Sequence, residues 1–304
     1  MLMQAVESYL EFRRALGFSL QSDGYRLKGF ARHAIVRGQS HVIAQTAIEW
    51  AGSTASPEER ARRLRTVVGF ARFAHAEDER HEVPADDVFH WTRRRRPAYI
   101  FDPQDIGRLV ASARHIDPQG SLRSLGLSAL FALLAATGLR IREALRLRLS
   151  DVTSDGLVVR GTKFRKSRLV PLHPTAAAGL GRYLEQRQVF GPADDHVFLN
   201  RHGRPLSCES ARDAFRQLVG RLGLLPGGCE HPRPRLHSFR HTFAVRALES
   251  CPNQRDAVGR HLVALSTYLG HGSVASTYWY LEATPELLGD IAHACESYVK
   301  EVAP

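Results

Sequence analysis

Five cationic side chains and one tyrosine carry the clearest chemical signal in this sequence. They fall in four short segments: Thr137-Gly-Leu-Arg140, Gly161-Thr-Lys163, Leu236-His237-Ser-Phe-Arg240-His241, and Tyr268-Leu-Gly-His271 followed nine residues later by Tyr280. Two arginines, a lysine and two histidines around one tyrosine suit chemistry on a phosphate. A phosphodiester repels nucleophiles through its negative charge and has a strongly basic leaving alkoxide, so a catalyst must neutralise charge and supply a proton. Arg140 and Arg240 fit the first task, each able to donate two hydrogen bonds to nonbridging oxygens. A lysine or a histidine can protonate the leaving oxygen. A tyrosine can attack, but its phenol has an ordinary pKa of about 10 and needs nearby positive charge or a base.

Helical geometry sorts some of these residues and leaves others open. His237 and Arg240 are three apart and share a helix face, so they can approach one phosphate together. His241 lies about 100° around the helix from Arg240 and is left out of the catalytic set. Nine residues at about 100° each put His271 and Tyr280 on opposite sides of an unbroken helix, so convergence requires a break. Gly272-Ser273 is the predicted break, with glycine ending one element and Ser273 as N-cap of the next. Tyr278 and Trp279 flank Tyr280, and spacing alone leaves all three aromatics open. Lys163 and Lys166 are likewise both available.

The elements that must position these residues can be read from periodicity. Residues 1–95 are predicted as four or five helices, from apolar periods at Val6, Tyr9 and Leu10, at Leu27, Phe30, Ala31 and Ala34, and at Leu64, Val67, Val68 and Ala71. Gly17, Gly24, Gly38 and Gly52 with Ser53 are predicted breaks, and Ser56-Pro57-Glu58-Glu59 is a helix start. Arg93, Arg94, Arg95 and Arg96 run into Pro97, and residues 96–101 are predicted as a basic linker. Four clustered charges there could lie along nucleic-acid phosphates, each displacing condensed counterions. Residues 102–304 form the second predicted domain. Asp102-Pro103 opens a helix to about Ala113, Leu122–Ala136 is a buried helix closed by Gly138, and a new helix starts near Arg140. Leu157–Arg160 and Arg168–Leu172 are predicted strands of a small antiparallel sheet, Pro174 opens a helix to about Gln188, and Thr284-Pro285 starts a last one. The class is mainly α with a small antiparallel β-sheet.

Composition narrows the partners. The chain has 304 residues, with 42 Lys and Arg against 31 Asp and Glu, a net charge of +11, so a polyanionic partner is expected. Cys208, Cys229, Cys251 and Cys295 are widely spaced, without a zinc-knuckle pattern, and read as reduced thiols. No basic-then-apolar leader opens the sequence, and Leu125–Ala136, its longest apolar run, falls short of the ~20 residues needed to cross a bilayer. A cytoplasmic location without membrane contact is expected.

Taken together, the four segments resemble the tyrosine recombinase (phage integrase) family, most closely the recombinases of transposons and integrative elements. Thr137-Gly-Leu-Arg140-Ile-Arg-Glu143 is similar to that family's first arginine motif with its acidic partner. Gly161-Thr-Lys163 through Arg168-Leu-Val-Pro-Leu172 is similar to its β-hairpin motif, in which the lysine lies five residues before the arginine. That resemblance selects Lys163 over Lys166. Leu236-His237-Ser-Phe-Arg240 resembles the His-x-x-Arg motif, and Leu269-Gly-His271 with Tyr280 matches the final histidine and nucleophile. The likeness spans residues 100–295, with the motifs in the family's order. The segment 249–262 is longer and more polar than in compact members.

The resemblance implies a helical core-binding domain that clamps DNA, over residues 1–95, and a catalytic domain that cuts and rejoins DNA through a 3′-phosphotyrosyl link. It assigns Tyr280 as nucleophile, Arg140 and Arg240 as phosphate clamps, Lys163 as proton donor to the 5′ oxygen, His237 as proton-transfer partner and His271 as a phosphate hydrogen-bond donor. Glu143 orients the cations from behind. Arg93–Arg96, Arg165 and Lys166 are candidate DNA contacts. No metal or cofactor is implied. Expected partners are double-stranded DNA, further copies of the chain as a dimer on one site and a tetramer in synapsis, and accessory recombinases. A C-terminal helix over 285–304 could dock on a neighbouring copy. Rival readings are a type IB topoisomerase, a DNA-binding accessory protein that does not cut, and a metallohydrolase built on His231, His237 and His241.

Overall fold

A computed structural model of the chain describes residues 2–91, 97–116, 120–161, 167–190, 194–225, 232–250, 255–271, 277 and 280. Outside these lie Arg93–Arg96, Lys163, Arg165, Lys166, His231, the Gly272-Ser273 step, Tyr278, Trp279, Cys229, Cys251, Cys295 and the predicted helix over 285–304. The chain divides into two compact units, Met1–Arg95 and Arg96–Pro304.

The first unit is built from α1 (Leu2–Ala15), α2 (Gln21–Val36), α3 (Ala44–Gly52) and α4 (Pro57–Glu77). Its apolar stripes meet in one core, with Val6 and Leu10 of α1, Leu27 and Phe30 of α2, Ala47 of α3 and Leu64, Val67 and Phe70 of α4 all buried. Ser56 caps α4 as its sequence indicates: the Oγ accepts from the Glu59 amide at 3.3 Å, and Pro57 fills a first-turn position whose missing amide costs nothing. Gly24 corrects an expectation, since it lies inside α2 rather than between helices. It is buried, and a Cβ there would already touch Leu10 and Arg14 of α1 at 3.4 Å, so this glycine serves helix packing.

The second unit begins with α5 (Pro103–Ala113), α6 (Leu122–Thr137) and α7 (Ile141–Leu145), followed by β1 (Val152–Thr153), β2 (Gly156–Val159) and β3 (Arg168–Val170). It continues with α8 (Pro174–Val189), α9 (Cys208–Arg221), α10 (Leu236–Glu249) and α11 (Arg255–Leu269). The strands form an antiparallel sheet in the order β1-β2-β3, with Leu157 paired to both Val152 and Val170. β1, two residues long, has too little alternation to be read from sequence. α6 is the central post: Leu127, Leu130, Phe131 and Leu134 are buried, and it packs against α5, α8 and α10.

The predicted linker 96–101 is shorter than expected. Phe101 is wholly buried in the second unit, stacked on Phe239 of α10 with ring centroids 5.0 Å apart, and its amide donates to Thr242 Oγ1 at 2.9 Å. An aromatic side chain with that much area to bury belongs to a core and not to a tether. The contact also fixes α10, the helix that carries His237 and Arg240. A smaller core of Val245, Leu248, Leu262, Leu265, Leu269 and Tyr280 joins α10 to α11 and to the C-terminal tyrosine.

Candidate active site

Arg140 owes its position to a left-handed glycine. α6 ends at Gly138, where φ is 60° and a Cβ would sit 2.7 Å from the Phe243 ring, so no other residue fits without displacement. Two residues on, Arg140 occupies the N-cap position of α7. Its amide donates to Glu143 Oε2 at 3.2 Å and its Nη1 to Glu143 Oε1 at 2.8 Å. Glu143 therefore both caps the short helix and aims the guanidinium.

Arg240 is held differently. It is 1% exposed, and it donates from Nη1 to the Gly138 carbonyl at 2.9 Å and from Nη2 to the Leu269 carbonyl at 2.8 Å. Neither partner carries a charge. The Arg140 side chain stays 38% exposed and, beyond its bond to Glu143, makes long contacts of 3.5 Å to the carbonyls of Leu269 and Gly270, so it retains donors for a ligand.

The turn at the end of α11 brings the last motif in. The helix stops at Leu269, and Gly270 takes φ 67° in an αL cap, which places His271 outside α11. The expected break at Gly272-Ser273 lies outside the described residues. His271 Nδ1 is 2.8 Å from Thr277 Oγ1, and its ring stacks on Tyr280 with centroids 6.0 Å apart and planes at 18°. Tyr280 is 3% exposed and packs in the small core that joins α10 to α11.

His241 is in this cluster although helical angle alone left it aside. Its ring meets Tyr280 edge-on at 5.5 Å and His237 edge-on at 4.6 Å. His241 follows His237 by four residues, about one helical turn, so the two rings share a face of α10. Arg168 is a second residue that the sequence did not single out by function. Its Nη2 donates to Glu143 Oε2 at 2.8 Å and its Nε to the Tyr268 carbonyl at 2.8 Å.

Burial and crowded positive charge shape the titration of the cleft. The surrounding protein strips water from His237, and His241, Arg240 and Arg140 add repulsion, so it falls to about 4 although one edge of the residue remains exposed. His271 also falls to about 4, through burial and then Arg240 and Arg140. Both rings are neutral at pH 7. Burial pushes Glu143 upward, but Arg168 and then Arg140 outweigh it and hold the carboxylate below its ordinary value. Burial lowers Arg240 as well, followed by Arg140. Among the described residues, the groups that could converge on a metal ion are His41, Asp78 and His81 in the first unit and Asp194, Asp195 and His196 in the second. Neither includes a residue of this cleft.

Three of the four sequence motifs thus converge, with two guanidiniums on one carboxylate and a third, Arg240, held by backbone carbonyls. The amino-acid sequence matches the phage integrase family over residues 100–286. The chain belongs to that family. The integrase/recombinase y4rB of Sinorhizobium fredii is 36% identical over 303 residues, covering 96% of each chain. Tyrosine recombinase XerD of Brucella abortus is 28% identical over 308 residues, covering 93% of this chain and 94% of its own. The fold is similar to that of the Tn1549 transposon integrase in complex with a circular intermediate DNA, with a TM-score of 0.67, 17% identity, and coverage of 97% of this chain and 99% of that one. This family member is a tyrosine-type site-specific recombinase.

Proposed function

We propose that Tyr280 is the nucleophile of DNA strand exchange and that the surrounding cations serve the phosphate it attacks. The observation that carries this reading is the charge balance of the cleft. Arg140 and Arg168 share Glu143 as their carboxylate partner, whereas Arg240 is buried against neutral carbonyls. A buried cation without a paired anion is costly, and a bound phosphodiester supplies the missing charge.

In this mechanism the Tyr280 oxygen forms a bond to phosphorus as the bond from phosphorus to the 5′ oxygen breaks. The phenolic proton passes to neutral His237, directly or through one water, and Lys163 gives a proton to the departing 5′ oxygen. Arg140 and Arg240 hold the nonbridging oxygens, and His271 donates to one of them. The phosphotyrosyl link retains the energy of the broken ester, so a 5′-hydroxyl from a second duplex reverses the step on a new partner. Neither a nucleotide cofactor nor a metal enters the balance.

The helical unit over residues 1–95 serves as the DNA clamp, and Arg93–Arg96, Arg165 and Lys166 contact phosphates along the duplex. Solved relatives in this fold include a λ integrase dimer on a core site and a tetramer on a Holliday junction, which supports the same assemblies here. No described helix is long and apolar enough to cross a membrane, which fits work on DNA in the cytoplasm. A duplex nicked just beside the cleavage site tests the reading, because loss of the short leaving strand traps the covalent complex. A denaturant-stable protein–DNA adduct that forms in EDTA is expected. Recombination that proceeds without any trappable adduct would overturn it.

A further inference from the structure

The geometry points to Arg168 as a positioning residue that locks the returning strand of the hairpin onto Glu143 and onto the corner that carries His271. This rests on the reading of the cleft as the recombination centre. Arg168 is the first residue of β3, yet its side chain is 12% exposed and turns into the protein. Its fork spans both oxygens of Glu143, with Nη2 at 2.8 Å from Oε2 and Nη1 at 3.3 Å from Oε1. The third edge is used as well, Nε donating to the Tyr268 carbonyl at 2.8 Å. A planar guanidinium with all three nitrogens engaged has little freedom left.

Two sides of the site depend on this placement. Glu143 accepts from Arg168 and from both the amide and the Nη1 of Arg140, so one carboxylate sets the angle between the two arginines. On the other side, Arg168 fixes the carbonyl of Tyr268 just before the chain turns through Gly270 into His271. Gly270 is shaped around the guanidinium: a Cβ there would lie 2.7 Å from Arg168 Nη1 and 2.9 Å from Cζ. Gly270 therefore meets two requirements at once, its φ of 67° and the close approach of Arg168. Connectivity adds a third consequence, since Arg168 lies five residues after Lys163 and anchors one end of that segment. Lysine can replace it only in part, because a single ammonium restores the charge but cannot span two carboxylate oxygens and a carbonyl in three directions.

A direct contact with DNA is the competing role for any arginine beside such a cleft. The inward orientation of Arg168 and the engagement of all three of its nitrogens argue against it, and the two roles give different measurements. Full-length Arg168→Met, Arg168→Lys and Gly270→Ala are compared with wild type for DNA affinity and its salt dependence, thermal midpoint, and adduct formation on a nicked duplex between pH 4 and 9. Expected are unchanged affinity and salt slope, with adduct formation at saturating DNA slowed about 10–100-fold in Arg168→Met and Gly270→Ala. Arg168→Lys should fall between them and wild type. The acid limb of the pH–rate profile should move to higher pH in Arg168→Met, because Glu143 loses its strongest cation and protonates more readily. Adding Arg168→Met to Glu143→Gln should cost little more than Glu143→Gln alone. The proposal is overturned if Arg168→Met cleaves at the wild-type rate, if its loss merely follows a lower folded fraction with an unshifted profile, or if it weakens DNA binding and lowers the salt slope while cleaving normally at saturation. Absence of any adduct from wild type would remove the underlying reading and this proposal with it, whereas a normal wild-type adduct with normal Arg168→Met cleavage removes this proposal alone.

Discussion

Arg240 is fixed by two neutral carbonyls, so the molecule has built a cation that waits for an anion from outside. Its replacement should therefore act on both stability and chemistry. Arg240→Ala leaves the Gly138 and Leu269 carbonyls without their donor, a loss of roughly 2–3 kcal/mol of stability seen in the thermal midpoint. It should also slow cleavage by about two orders of magnitude or more, as removal of a transition-state donor does. Arg240→Lys should recover more of the stability than of the rate, because an ammonium restores charge without the fork. The histidines give a pH prediction at the same scale. His237 and His271 stand near 4 in the folded protein against about 6.5 in the unfolded chain. Below pH 6.5 the unfolded state binds protons that the folded state refuses, so stability falls as the pH drops from about 6.5 towards 4. The thermal midpoint of wild type should decline across that window, and a His237→Asn, His271→Asn double variant should decline less. A flat wild-type curve would show that these rings are not held neutral.

At the scale of elements, the turns matter more than the helices they connect. Gly138→Ala should destabilise the second unit by about 1–3 kcal/mol and slow cleavage, since a Cβ 2.7 Å from Phe243 displaces the carbonyl that holds Arg240. Ser56→Ala should cost about 1 kcal/mol through loss of the α4 cap and leave the cleavage step intact. The pair separates a turn that positions chemistry from one that only holds a helix. The same contrast explains how much could be read in advance. Ser56-Pro57, Asp102-Pro103 and the left-handed Gly138 are local signals, and the apolar periods of α1, α2, α4 and α6 are written in consecutive residues. Arg140, His237 and Arg240 were legible as candidates because their types and spacings are themselves motif-like, whereas Tyr280 was singled out from Tyr278 and Trp279 only by the family resemblance. Arg168 and His241 were not, because their roles depend on partners 25 and 39 residues away in the chain, Glu143 and Tyr280. Phe101 and Gly24 were misplaced for a related reason, as a core contact from a distant helix overrode the local signature of a linker and of a break.

At the scale of the whole molecule, the excess of basic residues sets how the protein meets DNA, and the cleft sets what happens there. The two terms should separate in a salt titration. Replacing Arg93, Arg94, Arg95 and Arg96 together by alanine should weaken DNA binding and reduce the slope of log affinity against log salt by up to about 3.6, roughly 0.9 for each lost phosphate contact. Cleavage at saturating DNA should be unaffected, and an unchanged slope would take these arginines off the duplex. Strand exchange in turn needs several copies to act in concert, so a single chain bearing a defective cleft should poison assemblies formed with wild type. The most direct test of the account is the covalent bond itself: wild type and Tyr280→Phe are incubated with a nicked duplex in EDTA, denatured, and the DNA-linked peptide identified. The account predicts an adduct at Tyr280 in wild type and none in Tyr280→Phe, with equal DNA binding by both. An adduct of normal yield in Tyr280→Phe, or one mapped to Tyr278, would contradict it.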